Sequence, residues 1–225
     1  METSAPTASS STARPVNLKW FIVGGLLLFV LIGATTYLVA RSLRPYQFKG
    51  TVLNPPLPAI DFTMTSSRTQ QLISLSDYRD KLVFIYFGYA SCPDVCPTSL
   101  SHYTETYHLL SEEEQAAVQL LWVTVDPERD TPEVMEDYIS HFEPEFMLGL
   151  IPPNPAVLAE VAGAFAIYYE KVDSGSETGY LMDHTASMVL VDTAGNWSLV
   201  YPFDTPPEDV AADIQYLVKN DLQVK

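Results

Sequence analysis

The sequence predicts a three-layer α/β domain with a central mixed sheet, joined to a single N-terminal membrane helix. Three observations lead to this prediction. A charge-free apolar stretch of bilayer length lies near the N-terminus. Beyond it, short apolar runs rich in β-branched and aromatic residues alternate with segments of helical pattern. The chain then finishes in a hairpin and a helix, and this order of strands and helices is typical of α/β packing.

The first segments predict a tail and a membrane anchor. Residues 1–19 are rich in Ser, Thr, Ala and Pro without an apolar period, so we expect a short disordered tail. Residues 20–40 are all uncharged, and at ~1.5 Å per residue they span about 30 Å, the thickness of a bilayer core. Trp20 and Tyr37 lie near the ends, as interfacial aromatic residues do. A cleaved signal peptide would have a shorter apolar region followed by a small-x-small site, so we predict an uncleaved transmembrane anchor.

Charge is unevenly distributed along the chain. Its net charge of −16 divides into +4 for residues 1–49 and −20 for residues 50–225. Such an acidic domain would not neutralise phosphates, which argues against nucleic acid as a partner. We interpret the acidic surface as a solvated surface that also suits a basic or cationic partner.

The orientation of the anchor is not fixed by charge. Basic residues flank it on both sides, and the positive-inside rule is close to neutral, leaning slightly towards an outside N-terminus. The short tail and the large acidic domain nevertheless favour an inside N-terminus.

Residues 41–58 contain three closely spaced prolines, at 55, 56 and 58, and are predicted to be a semi-stiff linker. The globular domain is then expected to cover residues 59–225. Its first elements are an alternating strand at 60–64 and a partner strand at 71–75, which together form an N-terminal β-hairpin extension.

The main body of the domain follows from apolar runs and from helix-start signals. Pro132 and Pro155 each follow a residue that can cap a helix, and proline is favoured at the first helical position. The order of elements, with a βαβ unit before a ββα unit, predicts a thioredoxin-like architecture. In chain order we predict a strand at 81–87, a helix at 97–110, a polar segment at 111–114, a strand at 120–125, helices at 132–142 and 154–165, a strand at 166–172, a loop at 173–182, strands at 187–191 and 197–201, and a helix from 206 or 207 to 219.

Both cysteines of the protein lie together, between the predicted strand that ends at Phe87 and the predicted helix that begins at Pro97. Exposed N–H groups at a helix start favour thiolates there. Residues i and i+4 share a helical face, so the sulfurs of Cys92 and Cys96 can point at one atom. The spacing is C-x3-C rather than the C-x2-C of thioredoxin-type oxidoreductases. The pair therefore either closes a disulfide or binds a soft metal.

His184 is the candidate third member of this site. It precedes the predicted strand 187–191, and in a thioredoxin-like fold the loop before that strand faces the cysteine loop. Two thiolates and one imidazole suit Cu(I), whereas zinc usually takes a fourth ligand. Cu(II) would need water or a carboxylate in addition, for which Asp94 and Asp183 are candidates, although each more readily orients a neighbour or caps a helix. The other histidines, at positions 102, 108 and 141, are interpreted as structural or surface residues.

Three motifs together resemble the SCO/SenC family of copper-binding assembly proteins. They are FGYxxCPDVCPT at residues 87–98, VTVDPERDTP at 123–132 and DHT at 183–185, and the likeness extends over about residues 50–220 and includes the single anchor. The resemblance implies a thioredoxin-like fold with copper held by Cys92, Cys96 and His184. One departure is Ser91, where members often carry histidine, but that position is not a family ligand.

The resemblance also implies a setting in the cell. The family's domain lies on the periplasmic side of the membrane or its equivalent, so the chain is expected to be a single-pass membrane protein with its domain extracytoplasmic. Family members help deliver copper to the dinuclear copper centre in cytochrome c oxidase subunit II, or reduce the cysteines of that subunit beforehand. A separate protein would be the copper donor.

Two functions therefore remain open at the level of sequence. In the first, the chain is a copper chaperone and not an enzyme. In the second, it is a thiol–disulfide reductase in which Cys92 attacks and Cys96 resolves. A peroxidase of related fold would need a peroxidatic site, which we do not find around Cys92.

Overall fold

A computed structural model describes residues 18–143, 145–173 and 179–224. It divides into two compact units, one ending at Gln47 and one beginning at Phe48. The first contains α1, Leu18–Ser42. Within α1, the segment Lys19–Arg41 is long and apolar enough to cross a membrane, a finding of length and composition. Most of the predicted tail, residues 1–19, lies outside the described residues.

The unit that begins at Phe48 is an α/β domain. Its strands are β1 Thr51–Pro58, β2 Thr63–Ser66, β3 Leu72–Ser74, β4 Leu82–Gly88, β5 Val118–Thr124, β6 Met147–Ile151, β7 Tyr169–Asp173, β8 Tyr180–His184, β9 Met188–Val191 and β10 Asn196–Tyr201. Its helices are α2 Val95–His108, α3 Glu112–Ala116, α4 Pro132–Ile139, α5 Pro155–Ala164 and α6 Pro207–Val218, with a 3₁₀ turn at Leu75–Tyr78.

The strands form one large mixed sheet and one separate hairpin. The large sheet has the order β1-β10-β9-β4-β5-β6-β2-β3, and β7 pairs only with β8. β4 runs parallel to β5, and β5 runs parallel to β6, whereas the other neighbours are antiparallel. Every residue of β4 is buried, as expected for a strand that is covered on both faces. The predicted central mixed sheet is confirmed.

Helices cover both faces of β4. Phe84 lies 5.9 Å from Tyr103 of α2, between ring centroids. Phe87 projects from the opposite face, because side chains alternate along a strand, and its ring centroid lies 6.4 Å from that of Phe165 at the end of α5. α6 packs beside α2. The domain therefore has three layers, as predicted.

The helix starts at α4 and α5 follow the predicted capping pattern. The Thr131 side chain accepts the N–H of Val134 at 3.3 Å. The Asn154 side chain accepts the N–H of Val157 at 3.0 Å. In both helices a proline occupies the first turn, where its missing N–H costs nothing.

The proline-rich segment differs from its prediction. Residues 51–58, predicted as part of a linker, form β1, which pairs antiparallel with β10. β1 lies at the edge of the sheet, and edge strands tolerate proline because one side needs no ladder partner. Just before it, the N–H of Gly50 donates to the buried carboxylate of Asp213 at 2.9 Å. The linker prediction is wrong for these residues, and the compact unit begins at Phe48 rather than Ala59.

Three further elements are not predicted from the sequence. β6 is short and contains Gly149, where a Cβ would lie only 2.6 Å from the hydroxyl of Ser67, so the glycine that interrupts the apolar run permits close packing. α3 is a short helix whose start is a capping box between Ser111 and Glu114. β8 falls partly within the predicted loop 173–182, of which residues 174–178 lie outside the described part of the chain.

Candidate metal centre

The two cysteines occupy the junction between β4 and α2. Because α2 begins at Val95, earlier than the predicted start at Pro97, Cys96 lies in its first turn and Cys92 in the preceding loop. The backbone N–H of Cys96 lies 3.4 Å from the sulfur of Cys92. Both residues are free thiols. Cys96 is fully buried, whereas Cys92 keeps 9% of its surface exposed, so Cys92 is the cysteine nearer to the protein surface.

His184 meets the cysteines from the separate hairpin. It is the last residue of β8 rather than part of a loop, and it lies opposite Tyr169 of β7. Its Nε2 atom is 3.3 Å from the sulfur of Cys96. The Nε2 atom and the sulfurs of Cys92 and Cys96 all lie within 4.8 Å of one another. The structure thus brings together all three side chains that the sequence indicates.

The backbone fixes which imidazole nitrogen can bind a metal. Nδ1 of His184 lies 3.2 Å from the carbonyl oxygen of Thr185. A carbonyl oxygen only accepts hydrogen bonds, so we assign the proton to Nδ1. The lone pair of Nε2 then faces the sulfur of Cys96. This is the arrangement of metal-binding histidines, which commonly donate their second N–H to an acceptor.

Aromatic rings and a glycine shape the pocket around the imidazole. The rings of Tyr86 and Tyr89 meet His184 edge-on, with centroids at 6.1 and 5.9 Å. Gly88 lies between these tyrosines, and a Cβ there would come within 2.9 Å of the sulfur of Cys96. Glycine therefore leaves room for that sulfur. The two tyrosines are not identified from the sequence as site residues, although both flank this glycine at the end of β4.

Hydrogen-bond donors without partners lie behind Cys96. The Tyr86 hydroxyl and the Trp122 indole N–H are buried and have no hydrogen-bond partner among the described residues. A Cβ on Gly88 would lie 2.9 Å from both the Trp122 Nε1 atom and the Cys96 sulfur, so both atoms border the same small space at Gly88. Buried unpaired donors are costly, and a negatively charged sulfur at Cys96 would supply an acceptor for them.

The pKa values of the two thiols are shifted in opposite directions. Hydrogen bonding from the Cys96 thiol, together with the backbone N–H groups of Asp94 and Cys96, outweighs burial and lowers the pKa of Cys92 to about 4. Burial, with a further contribution from the neighbouring Cys92 thiolate, raises the pKa of Cys96 far above its ordinary value. At neutral pH, Cys92 is a thiolate and Cys96 keeps its proton.

This asymmetry predicts the pH dependence of alkylation. We expect the metal-free chain to be modified by iodoacetamide at Cys92 alone, with a rate that is flat from pH 6 to 8 and falls only as pH approaches about 4, where the thiolate becomes protonated. The measurement is the rate of mass increase at each pH, with the modified residue located by peptide mapping. A rate that climbs steadily up to pH 9 would show an ordinary thiol at Cys92.

The carboxylates considered as extra ligands do not join the cluster. Neither Asp94 nor Asp183 is part of the Cys–Cys–His group found among the described residues. Asp183 precedes His184 on β8, and adjacent residues of a strand face opposite sides, so its carboxylate points away. Both aspartates are exposed.

The remaining histidines also lie outside the cluster, as interpreted from the sequence. The ring of His102 stacks on an aromatic side chain before α6. His108 lies 3.4 Å from a carboxylate oxygen of Glu143. Nδ1 of His141 lies 2.7 Å from the carbonyl oxygen of Asp137. Each has a local partner that accounts for its position.

Known proteins are similar to this chain in sequence and in fold. The family model SCO1/SenC matches residues 54–219. The SCO2-like protein RP587 of Rickettsia prowazekii is 29% identical over 215 residues, which cover 94% of this chain and 98% of that protein.

Solved structures agree with this match. The apo Sco1 protein of Thermus thermophilus is 38% identical, with a TM-score of 0.68, and the alignment covers 76% of this chain and 98% of the other. Bradyrhizobium japonicum ScoI, solved with copper bound, is 34% identical, with a TM-score of 0.63 and coverage of 70% and 98%. The predicted thioredoxin-like α/β fold is confirmed. The family match covers most of the domain and includes all three residues of the cluster, and the chain therefore belongs to the SCO1/SenC family.

Proposed function

We propose that this chain is a membrane-anchored copper chaperone that binds one copper ion through Cys92, Cys96 and His184. The observation that carries this proposal is the convergence of two sulfurs and one imidazole nitrogen within 4.8 Å. Cu(I) is soft and accepts three such ligands, whereas structural zinc is almost always four-coordinate. No further Cys, His, Asp or Glu joins this group in the described part of the chain.

The chemistry around each ligand supports reversible binding of copper as cargo. Cys92 is already a thiolate and is less deeply buried than Cys96, so it can meet an incoming ion or a partner's sulfur first. Cys96 must lose its proton to bind, and the unpaired donors of Tyr86 and Trp122 would then stabilise its charge. His184 presents Nε2 to the same point. A partner's thiolates would take the ion by exchange, one ligand at a time.

Membership of the family supports a proposal for the cellular role. We propose that copper passes to the dinuclear copper centre of cytochrome c oxidase subunit II, after delivery by a separate copper donor protein. In this proposal α1 is the anchor, and the domain lies on the periplasmic or extracytoplasmic side. The acidic domain, with a charge of −20, suits a basic or cationic partner surface.

One observation favours a second candidate, a thiol–disulfide reductase that acts on the cysteines of that subunit. A low-pKa thiolate beside a buried high-pKa thiol is the pattern of an attacking and a resolving cysteine. Cys92 would attack the partner's disulfide and form a mixed disulfide. Cys96 would then displace the partner, leaving a Cys92–Cys96 disulfide and two reduced thiols on the partner. Both roles can occur in turn, because reduced cysteines are required before copper binds.

Anaerobic titration of the full chain in detergent with Cu(I), against a competing chelator, tests the chaperone proposal. We expect uptake of one copper ion per chain and an X-ray absorption spectrum fitted by two sulfur neighbours and one nitrogen neighbour. A chain that takes up no copper, yet reduces a disulfide substrate, would overturn the chaperone proposal in favour of the reductase.

A further inference from the structure

Two side chains of the loop after β5 bind the first residue of β8. Tyr180 begins β8, and its hydroxyl donates to Oδ1 of Asp126 at 2.8 Å. Arg129 Nη1 donates to the carbonyl oxygen of Tyr180 at 3.0 Å, and the Arg129 guanidinium lies 3.7 Å from the centroid of the Tyr180 ring. Backbone, ring and hydroxyl of one residue are thus all held by two side chains of one short loop.

The side chains of Asp126 and Arg129 also bind each other. Arg129 and Asp126 form a charge-assisted hydrogen bond between Nε and Oδ2. Asp126 is 3% exposed and the Arg129 side chain 24% exposed, so this pair is only weakly screened by solvent. A planar guanidinium can bond a carboxylate, bond a carbonyl and stack on a ring at the same time, which an ammonium group cannot do.

Contacts continue from this loop to the candidate metal centre by two routes. Along the chain, Tyr180 and His184 are the two ends of the five-residue strand β8. Through space, the Arg129 guanidinium also lies 5.7 Å from the Tyr89 ring, and that ring meets the imidazole of His184 edge-on at 5.9 Å. Tyr89 lies close to Cys92 in sequence, so Arg129 touches both segments that must meet at the site.

The hairpin joins the rest of the domain through side chains, among them Met182 of β8 in the buried core, and not through strand pairing. β7 and β8 pair only with each other and not with the large sheet. On β7, Lys171 lies 3.7 Å from the same Tyr180 ring and pairs with Glu128 at 2.9 Å, but both of these side chains are at least half exposed. Exposed ion pairs contribute little to the stability of a fold. The buried contacts of Arg129 therefore hold β8 more strongly than Lys171 does.

We propose that Arg129 is a positioning residue that latches β8 and keeps His184 over the sulfurs of Cys92 and Cys96. This role rests on the proposed function, in which His184 is a copper ligand. Arg129 does not touch the metal position itself. It acts by restricting the hairpin, so that the imidazole is in place when copper arrives and returns to place after a ligand exchange.

A comparison of Arg129→Gln with wild type, each with His184 present or replaced by alanine, tests the latch. With His184 present, we expect Arg129→Gln to weaken Cu(I) binding about 10- to 100-fold, as is typical when support of a metal ligand is removed. In the His184→Ala background, the same change should alter affinity less than about twofold, because there is no imidazole left to position. Equal losses in both backgrounds would overturn the latch.

Two further measurements separate this result from a loss of folding or of copper binding. Amide hydrogen exchange of the metal-free full chain should become at least about tenfold faster in residues 180–184, with residues 188–191 of the central sheet unchanged. Tyr180→Leu, which removes the ring but keeps the Arg129–Asp126 pair, should reproduce both effects, and the exposed control Lys171→Gln should show neither. Unchanged hydrogen exchange in β8 would refute the latch. A wild-type chain that binds no copper would refute the proposed function, and the hydrogen-exchange result would then still test whether Arg129 restricts β8.

Discussion

Cys96→Ser is expected to reduce Cu(I) affinity by more than about a hundredfold, a larger loss than removal of an outer-shell contact produces. The serine hydroxyl is a hard donor that keeps its proton, so it replaces neither the softness nor the charge of a thiolate. Serine is close to cysteine in size, and Cys96 packs in a tight space against Gly88, so the fold should be retained. Competition titration measures the affinity, and circular dichroism checks the fold.

Comparison with Cys92→Ser makes this experiment informative about the second candidate function. Both variants should lose copper, because both sulfurs belong to the cluster. Their behaviour towards a disulfide substrate should differ. In Cys96→Ser the serine hydroxyl can replace the thiol as the hydrogen-bond donor to Cys92, so this variant should still attack and should accumulate a mixed disulfide, whereas Cys92→Ser should not react. Copper binding that survives in Cys96→Ser would contradict the proposed ligand set.

The parts of the fold that the sequence predicts well are those with a strong local signal. The central strand β4 is an unbroken apolar run, and the starts of α4 and α5 are marked by Thr131 and Asn154, each followed by proline. Such signals act over a few residues and do not depend on the rest of the chain. Both cysteines could be placed for the same reason, since they lie between a clear strand and a clear helix.

Elements that depend on a distant partner could not be predicted in this way. β1 is a strand because β10 offers it an edge, and its prolines indicate a linker when the segment is considered alone. β6 is held between its neighbours β5 and β2, although it contains a glycine, which would ordinarily weaken a strand. These strands exist because of tertiary pairing, which outweighs local propensity.

The candidate site shows the same division. His184 could be selected from four histidines because a thioredoxin-like topology places the chain before β9 beside the cysteines. The contacts that fix the position of His184 could not be predicted from the sequence. Arg129 lies in a motif, 123–132, that the family resemblance includes, yet nothing local indicates that its guanidinium reaches Tyr180 of the separate hairpin. Long-range positioning contacts leave little trace in a single sequence.

His184→Ala separates the two candidate functions most directly. We expect it to weaken Cu(I) binding by at least about a hundredfold, because loss of a ligand should cost at least as much as loss of its outer-shell support. The imidazole approaches the site from a hairpin that pairs with neither β4 nor α2, so the pair of thiols should keep its geometry. Disulfide reduction, which uses Cys92 and Cys96 alone, should therefore continue at a rate close to that of the wild type.

A matched control exists in the same chain. His141 is exposed and bonds a backbone carbonyl of its own helix, so His141→Ala should bind Cu(I) as the wild type does. Affinity of each variant is measured by the same anaerobic competition titration, and reduction by release of thiols from a disulfide substrate. If His184→Ala kept full copper affinity, the ion would be held by the sulfurs without the imidazole, and the three-ligand site would be wrong. If it instead lost disulfide reduction together with copper binding, the imidazole would take part in disulfide exchange as well, and the expectation that Cys92 and Cys96 act alone would be wrong.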